Sequence, residues 1–343
     1  MSYKKVILNE FGNPDVLQVI TEDSLPEPGA GEVRVRVLAS SATFTDTLVR
    51  KGIYYGFKEK PPLSPGYDMV GVVDKLGPST GSGNGATGLK VGQKVADLTV
   101  WGAYSEYMLR PADSLVPVPD SVAAADAVSM VLSYVTAYQM LHRMAKVQRG
   151  QTILVHGAGG AVGTALLQLG ELLDLKMYGT ASASKKELVE GLGAVHIDYA
   201  AEDFVARMQA EGGCDAVFDF IGGDHFKRSF DSLRKGGILV PYGFYDDAMG
   251  KGGDNVPMTF MKISLWNILP NGRRTAFYSI TPLRKKNPDW FREDLSALFN
   301  LLAEGKIKPA IERMMKLDNA AEAHRLIEEA AVKGRIVLEI GEE

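Results

Sequence analysis

The stretch Gln151-Thr-Ile-Leu-Val-His-Gly-Ala-Gly-Gly-Ala-Val-Gly-Thr-Ala-Leu-Leu-Gln-Leu169 combines a strand pattern, a run of glycines and the start of a helical pattern. Its β-forming residues at 152–155 lead straight to the glycines, and apolar residues then recur at helical spacing. Glycine allows a sharp turn and a close approach of the backbone to a pyrophosphate, while a helix N-terminus offers free N–H groups and a positive dipole end. We therefore expect the strand, turn and helix of a dinucleotide-binding fold, which would contact the ligand through Gly157, Gly160, Ala161, Val162 and Gly163.

The end of the next strand, at 176–180, indicates which dinucleotide is bound. A fold that prefers NAD usually carries an acid there, about 20 residues past the glycines, for the ribose 2′-hydroxyl. Here Ser182, Lys185 and Lys186 follow the strand, and the first acid is Glu187. One hydrogen bond to a charged 2′-phosphate is worth about 1.5–3 kcal/mol. The alternative is that the lysines are only solvated at the start of the next helix, but a cation is slightly unfavourable at a helix N-terminus. The sequence therefore predicts NADPH, with Ser182 and Lys186 at the 2′-phosphate.

The composition of the 343-residue chain is that of an ordinary globular protein, with 45% hydrophobic and 23% charged residues and a net charge of −4. The absence of a basic excess argues against a nucleic-acid partner. The single cysteine, Cys214, excludes an internal disulfide framework and fits a reducing compartment. The N-terminus lacks a signal-peptide pattern, and the apolar stretch 121–141 carries Asp126, Ser129, Ser133, Thr136 and Gln139, so it predicts buried helices and no membrane span. We expect a cytoplasmic protein.

Strand patterns dominate before residue 120, whereas strands and helices alternate after residue 150. The alternating part predicts an α/β fold with a doubly wound parallel sheet, closed by a strand at 275–280. The glycine- and serine-rich segment 77–88 has no helical pattern after it and predicts a mobile loop, not a phosphate site. We expect residues 289–340 to return to the first domain, so that residues 1–125 and 282–343 form one domain and residues 126–281 the other.

Five further strings point to a known family: Glu10-Phe-Gly-Asn-Pro-Asp-Val-Leu, Pro65-Gly-Tyr-Asp-Met-Val-Gly-Val-Val, Val91-Gly-Gln-Lys-Val, Gly102-Ala-Tyr-Ser-Glu-Tyr and Lys333-Gly-Arg-Ile-Val-Leu. They resemble the medium-chain dehydrogenase/reductase superfamily, and the similarity runs nearly end to end. It is greatest to the zinc-free quinone oxidoreductase branch, which includes the zeta-crystallin-like proteins. The resemblance implies a GroES-like β-rich catalytic domain beside a Rossmann domain, NADPH-dependent reduction of quinones or activated alkenes, and homodimers or homotetramers.

Zinc-binding members of the superfamily carry a Cys-His pair just before a Thr-Asp pair, and a Gly-His-Glu further on. At the corresponding positions this chain has Thr43-Phe44 and Gly66-Tyr67-Asp68. Its five histidines, at 142, 156, 196, 225 and 324, show no ligand spacing, and we interpret His156 as a packed strand residue. We therefore expect no metal.

Hydride transfer to a carbon that is already electrophilic needs no Lewis acid, so positioning and exclusion of water supply most of the catalysis. The resemblance implies that Tyr54, in Gly52-Ile53-Tyr54, lines the substrate pocket and donates or relays a proton, with Tyr55 as a substitute. The alternative is that Tyr54 only packs against the nicotinamide or substrate ring. Thr43 and Leu48 replace an asparagine and a tyrosine found in quinone reductases, which makes the expected pocket less polar.

The resemblance and the position after each strand also imply the remaining cofactor contacts. Thr136 corresponds to a threonine on the nicotinamide side, and Tyr199 to a residue facing the adenosine phosphate. Arg335 or Lys333 would add charge at the phosphate end, although a solvated surface charge is the alternative. The residues expected at the carboxyl edge of the sheet, beside the nicotinamide, are Gly243, Phe244, Phe277, Tyr278 and Ser279.

The leading hypothesis is an NADPH-dependent reductase of a small-molecule quinone, enal or enone. An enoyl-thioester reductase is a variant of it, because the basic residues at 273, 274 and 284–286 could bind the phosphates of coenzyme A. The alternative from another class is a non-catalytic, crystallin-like NADPH-binding protein with a structural or regulatory role. The retained Tyr54 and glycine motif argue against that alternative.

Overall fold

The computed structural model describes residues 1–78, 80, 88–250, 256–268 and 270–342, without the side chains of residues 247, 256 and 257. The chain divides into two compact units, Met1–Val135 with Asp289–Glu343 and Thr136–Pro288. The boundaries expected from the sequence, after residues 125 and 281, fall slightly earlier in the chain. Most of the expected loop at 77–88 lies outside the described residues.

The strands are numbered in chain order. They are β1 (Tyr3–Leu8), β2 (Leu17–Glu22), β3 (Glu32–Ala42), β4 (Met69–Leu76), β5 (Lys94–Asp97), β6 (Tyr107–Pro111), β7 (Val116–Pro117), β8 (Thr152–His156), β9 (Lys176–Ala181), β10 (Val195–Asp198), β11 (Cys214–Asp219), β12 (Leu233–Pro241), β13 (Arg274–Thr275), β14 (Ile311–Lys316) and β15 (Arg335–Glu339).

The α-helices are α1 (Phe44–Lys51), α2 (Ala124–Ser129), α3 (Val135–Gln139), α4 (Ala161–Glu171), α5 (Lys186–Gly191), α6 (Phe204–Ala210), α7 (His225–Asp231), α8 (Tyr245–Ala248), α9 (Val256–Trp266), α10 (Ile280–Lys286), α11 (Pro288–Ala303) and α12 (Ala320–Glu328). Two π-helical segments, Met130–Tyr134 and Met140–Ala145, flank α3. Short 3₁₀ turns lie at Pro14–Val16, Ala112–Ser114, Ala183–Lys185 and Leu317–Asn319.

The first unit contains a mixed sheet of order β14-β15-β3-β4-β5-β7, with β6 also paired to β3, and a separate β1–β2 hairpin. The alternating sequence of β3 explains its place, because Val33, Val35 and Val37 are fully buried while Arg36 on the opposite face is not. β15 pairs antiparallel with β3, with Ile336 opposite Ala42. The C-terminal segment therefore completes the sheet begun by the N-terminal part.

The second unit contains a six-stranded sheet of order β10-β9-β8-β11-β12-β13 in which every pair is parallel. This confirms the expected doubly wound fold, and the strand order reverses between β8 and β11. The last strand is shorter than expected, because regular pairing stops at Thr275 and Ser279 already caps α10. Ala276 and Tyr278 nevertheless donate backbone hydrogen bonds to the carbonyls of Leu239 and Pro241.

The apolar stretch at 121–141 forms α2, a π-helical segment and α3. Ser129, Ser133, Thr136 and Gln139 of this stretch are buried, and Ser129 donates a hydrogen bond to the carbonyl of Ala125. In the described part of the chain, no helix has both the length and the apolar character that crossing a membrane requires.

Candidate functional site

The glycine turn between β8 and α4 is shaped for a ligand at the end of the helix. A Cβ at Gly163 would lie 2.3 Å from the carbonyl oxygen of Gly157 and 2.7 Å from Cα of Ala158. Only glycine therefore lets the first turn of α4 pack directly on the turn. The first N–H groups of α4, at Ala161 and Val162, have no acceptor within the helix, so this end can bind an anionic pyrophosphate.

The candidate cofactor residues of the second unit follow the carboxyl ends of parallel strands, which share one edge of the sheet. This edge is where ligands bind in open α/β sheets. The sequence-predicted residues brought to it are Gly157 and Gly160 after β8, Ser182 after β9, Tyr199 after β10, Gly243 and Phe244 after β12, and Phe277, Tyr278 and Ser279 after β13.

Of the two lysines after β9, the structure places Lys185 against the glycine turn. A Cβ at Gly159 would lie 2.7 Å from Cδ of Lys185, so the aliphatic stem of this lysine covers the turn. Lys186, which the sequence favoured, is exposed and lies 3.8 Å from Glu190 along α5. The hydroxyl of Ser182 hydrogen-bonds to that of Ser184 at 3.0 Å. The cation best placed for a phosphate is therefore Lys185.

Two predicted cofactor residues have buried side chains. Tyr278 is 2% exposed and donates a hydrogen bond to Oε1 of Gln139 at 3.0 Å, so its hydroxyl is committed to the interior. Thr136 is 5% exposed. Tyr199, in contrast, is 64% exposed and is available to a ligand. Phe244 stacks on Phe277 with ring centroids 5.5 Å apart.

Arg335 requires a correction, because its guanidinium is 4% exposed and lies inside the first unit. It donates hydrogen bonds to the hydroxyls of Ser41 and Ser133. Burial lowers the pKa of Arg335, and the nearby carboxylate of Asp68 opposes this effect. Buried arginines require such partners. Arg335 is therefore a structural residue at the start of β15, not a charge presented to a cofactor phosphate.

Sequence reasoning missed Phe220, which directly follows β11. A Cβ at Gly157 would lie 2.3 Å from its ring, and one at Gly243 would lie 3.0 Å from its Cβ. Phe220 therefore fills the space that these two glycines leave at the carboxyl edge. Its ring also contacts Tyr245 edge to face. The detectable signal was its position after a buried strand and before Gly222 and Gly223.

His156 belongs to a chain of hydrogen bonds inside the second unit. Thr180 and Ser229 contact its two ring nitrogens at 2.9 and 3.0 Å, and Ser229 donates to Asp219 at 2.6 Å. Burial lowers the pKa of His156 to about 3, so the ring is neutral. Burial favours the neutral form of Asp219, but its hydrogen bond from His225 and the nearby imidazoles hold the pKa of the carboxyl below its ordinary value.

His156, Asp219 and His225 are the one group of metal-ligating side chains that lie close together among the described residues. Hydrogen bonds already link them: His225 is 2.8 Å from Asp219, whose other oxygen accepts from the N–H of Ile221. This arrangement explains why His156 is fully buried. It fits the interpretation of His156 as a packed strand residue.

In the first unit, Tyr54 lies on the loop that follows α1. Gly52 ends α1 in the left-handed conformation, and its N–H donates to the carbonyls of Leu48 and Val49. The hydroxyl of Tyr54 is 2.9 Å from the hydroxyl of Tyr67, and the two rings meet edge to face. Tyr55 is 61% exposed, whereas Tyr67 is fully buried. The hydroxyl of the candidate proton donor is therefore hydrogen-bonded to the hydroxyl of a second tyrosine.

Asp46, in the first turn of α1, is a buried acid whose charge acts on Tyr54. It forms a capping box with Thr43, and its Oδ1 accepts from the N–H of Gly66 at 3.1 Å. Burial outweighs these hydrogen bonds and raises the pKa of Asp46 to about 7. A carboxyl with that pKa gains or loses its negative charge near neutral pH, and this charge acts on Tyr54.

Family models match both parts of the chain. Residues 29–120 match the alcohol dehydrogenase GroES-like domain, and residues 192–338 match a family described as zinc-binding dehydrogenase. The first match corresponds to the unit that contains Tyr54, and the second covers most of the parallel sheet and the C-terminal return.

Similar proteins align with nearly the whole chain. A probable quinone oxidoreductase of Schizosaccharomyces pombe is 29% identical over 341 residues, covering 98% of this chain and 97% of the relative. The human synaptic vesicle membrane protein VAT-1 homolog-like is 29% identical over 353 residues, covering 98% and 81%. The Escherichia coli quinone oxidoreductase, solved in complex with NADPH, superposes with a TM-score of 0.83 at 27% identity, covering 98% of this chain and 99% of that one. The crystal structure of the human VAT-1 homolog-like protein superposes with a TM-score of 0.83 at 27% identity, covering 100% of this chain and 99% of that one.

Proposed function

This chain belongs to the quinone oxidoreductase family of the medium-chain dehydrogenases/reductases, and from that premise we propose that it is an NADPH-dependent oxidoreductase that reduces a quinone or an α,β-unsaturated carbonyl compound. The observation that carries the proposal is the glycine turn at the switch point of the parallel sheet. There, the first N–H groups of α4 lie beside the turn, the stem of Lys185 packs on it, and the first acid after β9 is Glu187. This donor set fits the diphosphate and 2′-phosphate of NADPH.

When bound, NADPH supplies the hydride and its electron pair. The chain's own residues bind the dinucleotide through the turn at 157–160 and the first turn of α4, and they hold a proton at the hydroxyl of Tyr54. Burial raises the pKa of Tyr54, so the phenol is protonated at neutral pH and able to donate. The proton ends on the anionic oxygen or carbon of the reduced substrate, which balances the addition of H₂.

We propose that the reaction is independent of zinc. Two positions that carry ligands in zinc-binding members have other contacts here: Thr43 forms the capping box of α1, and the hydroxyl of Tyr67 is hydrogen-bonded to that of Tyr54. Neither a threonine hydroxyl nor a neutral phenol is a ligand that zinc sites ordinarily use. Metal analysis of the purified, active protein tests this, and stoichiometric zinc that is required for turnover would overturn it.

The function is tested by following NADPH and NADH oxidation with a quinone and a 2-alkenal of similar size, with product identification. We expect turnover with a preference for NADPH. Formation of the saturated aldehyde in preference to the quinol would identify a double-bond reductase, and added enoyl-thioester substrates would extend that comparison. Tight NADPH binding without turnover of any substrate would favour the non-catalytic, crystallin-like alternative.

We also propose that the protein is a cytoplasmic homodimer or homotetramer. Cys214 is a free, buried thiol, as expected in a reducing compartment, and cell fractionation tests the location. Support for self-association comes from the exposed apolar residues Met258, Met261, Leu265 and Ile268, which recur at helical spacing along α9 and just beyond it.

A further inference from the structure

Tyr67 is a fully buried tyrosine whose hydroxyl meets that of Tyr54. The two oxygens are 2.9 Å apart, and the ring centroids are 5.9 Å apart at an interplanar angle of 84°. Tyr67 has 0% exposure, whereas Tyr54 is only partly buried. The fully buried tyrosine therefore contacts one that is partly exposed.

The backbone around Tyr67 is fixed on both sides. Gly66 has a φ of +109°, and a Cβ there would lie 2.6–2.8 Å from the backbone of Ala103 and Tyr104. Thr99 donates a side-chain hydrogen bond to the carbonyl of Gly66, and the N–H of Val100 donates to the carbonyl of Tyr67. Such a packed, hydrogen-bonded support holds a side chain in a single position.

We propose that Tyr67 is a positioning residue for proton transfer by Tyr54: it orients the Tyr54 hydroxyl and donates a hydrogen bond to the phenolate that the transfer leaves behind. This inference rests on the proposed function. The substrate carbon would receive a hydride, which carries the electron pair, from the reduced nicotinamide, and the resulting anion would take the proton as the O–H bond of Tyr54 breaks. The Tyr54 phenolate then regains a proton from water.

The charges around Tyr54 show why such a partner is needed. Burial raises the pKa of Tyr54, the hydrogen bond with Tyr67 lowers it, and the charge of Asp46 raises it. Burial therefore opposes formation of the phenolate, and among these influences Tyr67 is the one that favours it. A hydrogen bond to a charged oxygen is stronger than one between neutral groups, so its contribution grows as the proton leaves.

The first measurement uses the protein without cofactor or substrate. 3-Fluorotyrosine is placed at position 54, and its ¹⁹F shift is followed across pH in otherwise wild-type protein and in Tyr67→Phe. We expect the Tyr54 analogue to titrate at higher pH in Tyr67→Phe. The matched control is Tyr134→Phe, which removes another buried hydroxyl of the same unit that has no hydrogen-bond partner in the described structure. It should leave the titration unchanged.

The second measurement is a double-mutant cycle on turnover with NADPH. Tyr67→Phe should lower kcat roughly ten- to hundredfold with little change in the KM for NADPH, since one hydrogen bond to a charged group is lost. In a Tyr54→Phe background, Tyr67→Phe should cause no further loss, because it acts through Tyr54. Thermal melting of each variant establishes that it is folded.

An unchanged titration in Tyr67→Phe, or an equal loss of kcat with and without Tyr54, would overturn the inference. If the wild-type protein has no reductase activity while the titration still moves, the proposed function and the role of Tyr67 in proton transfer fail, and only the hydrogen-bonded pair remains. If the protein is active but the titration does not move, the inference alone fails.

Discussion

At the residue scale, the two adjacent lysines after β9 differ in ways that sequence alone does not separate. Lys185 packs its stem on the glycine turn, whereas Lys186 lies in solvent beside Glu190. An exposed pair of the second kind contributes about 0–1 kcal/mol. A lysine held over a phosphate site makes a charge-assisted hydrogen bond instead.

We therefore expect Lys185→Ala to weaken NADPH binding about tenfold or more and to change NADH binding little. Lys186→Ala, the matched control, should change both less than threefold. Dissociation constants from quenching of protein fluorescence provide the measurement. A larger loss of NADPH affinity in Lys186→Ala than in Lys185→Ala would assign the 2′-phosphate contact to Lys186, the lysine predicted from the sequence.

At the element scale, α4 packs so closely on the glycine turn that an added methyl group should act differently at Gly163 and at Gly191, two helical glycines of the second unit. A Cβ at Gly163 meets the backbone of Gly157 and Ala158, while a Cβ at Gly191, at the end of α5, meets nothing within 4 Å. We expect Gly163→Ala to reduce the free energy of unfolding by about 1–3 kcal/mol and to weaken NADPH binding more than tenfold.

Gly191→Ala is the control for that substitution, and it should leave binding unchanged and stability equal or slightly higher. Urea unfolding and NADPH titration of both variants test the prediction. Wild-type affinity in a folded Gly163→Ala protein would show that the turn does not need this close contact.

His324, a buried histidine of α12 that contacts α1, leads us to expect that the stability of the fold depends on pH. His324 is buried between Arg50 and Tyr104, with ring nitrogens 3.3 and 3.1 Å from their polar atoms. Burial, with the charge of Arg50, lowers the pKa of His324 from 6.5 to about 3. Between these values the unfolded chain binds a proton that the folded protein does not, so stability is lost as pH falls through this window.

His324→Gln should make that loss shallower, because one proton fewer is taken up on unfolding. One proton corresponds to about 1.4 kcal/mol per pH unit. His156 retains its own contribution, since burial lowers its pKa to about 3 as well. The free energy of unfolding from urea titrations at several pH values between 7 and 4 gives the slope. An identical slope in wild type and His324→Gln would contradict the assignment.

At the scale of the whole molecule, the periodic patterns predicted the architecture well. Alternation after residue 150 predicted the doubly wound sheet, and the order of motifs predicted the family. The candidates from Gly157 to Tyr199 were identified by their position directly after a strand. They lie at one edge of the sheet, because neighbouring parallel strands end at the same edge. The burial of Arg335 was not predictable, because it depends on contacts with Ser41 and Ser133, which are far away in the sequence. The pairing of Tyr54 with Tyr67 spans only 13 positions, but it joins two segments outside regular secondary structure, where no periodic pattern determines side-chain contacts.

Self-association is the property of the whole molecule for which the sequence supplied only a family expectation. Exposed methionine, leucine and isoleucine at helical spacing leave apolar surface in water, and a second copy that covered it would gain about 25 cal/mol per Å² buried. We expect the double variant Met261→Glu/Leu265→Glu to shift the protein toward monomer in light scattering coupled to size exclusion. The control Val195→Glu alters another exposed apolar residue and should leave the mass unchanged. A wild-type protein that is monomeric at micromolar concentration, or a double variant with wild-type mass, would exclude α9 as the interface.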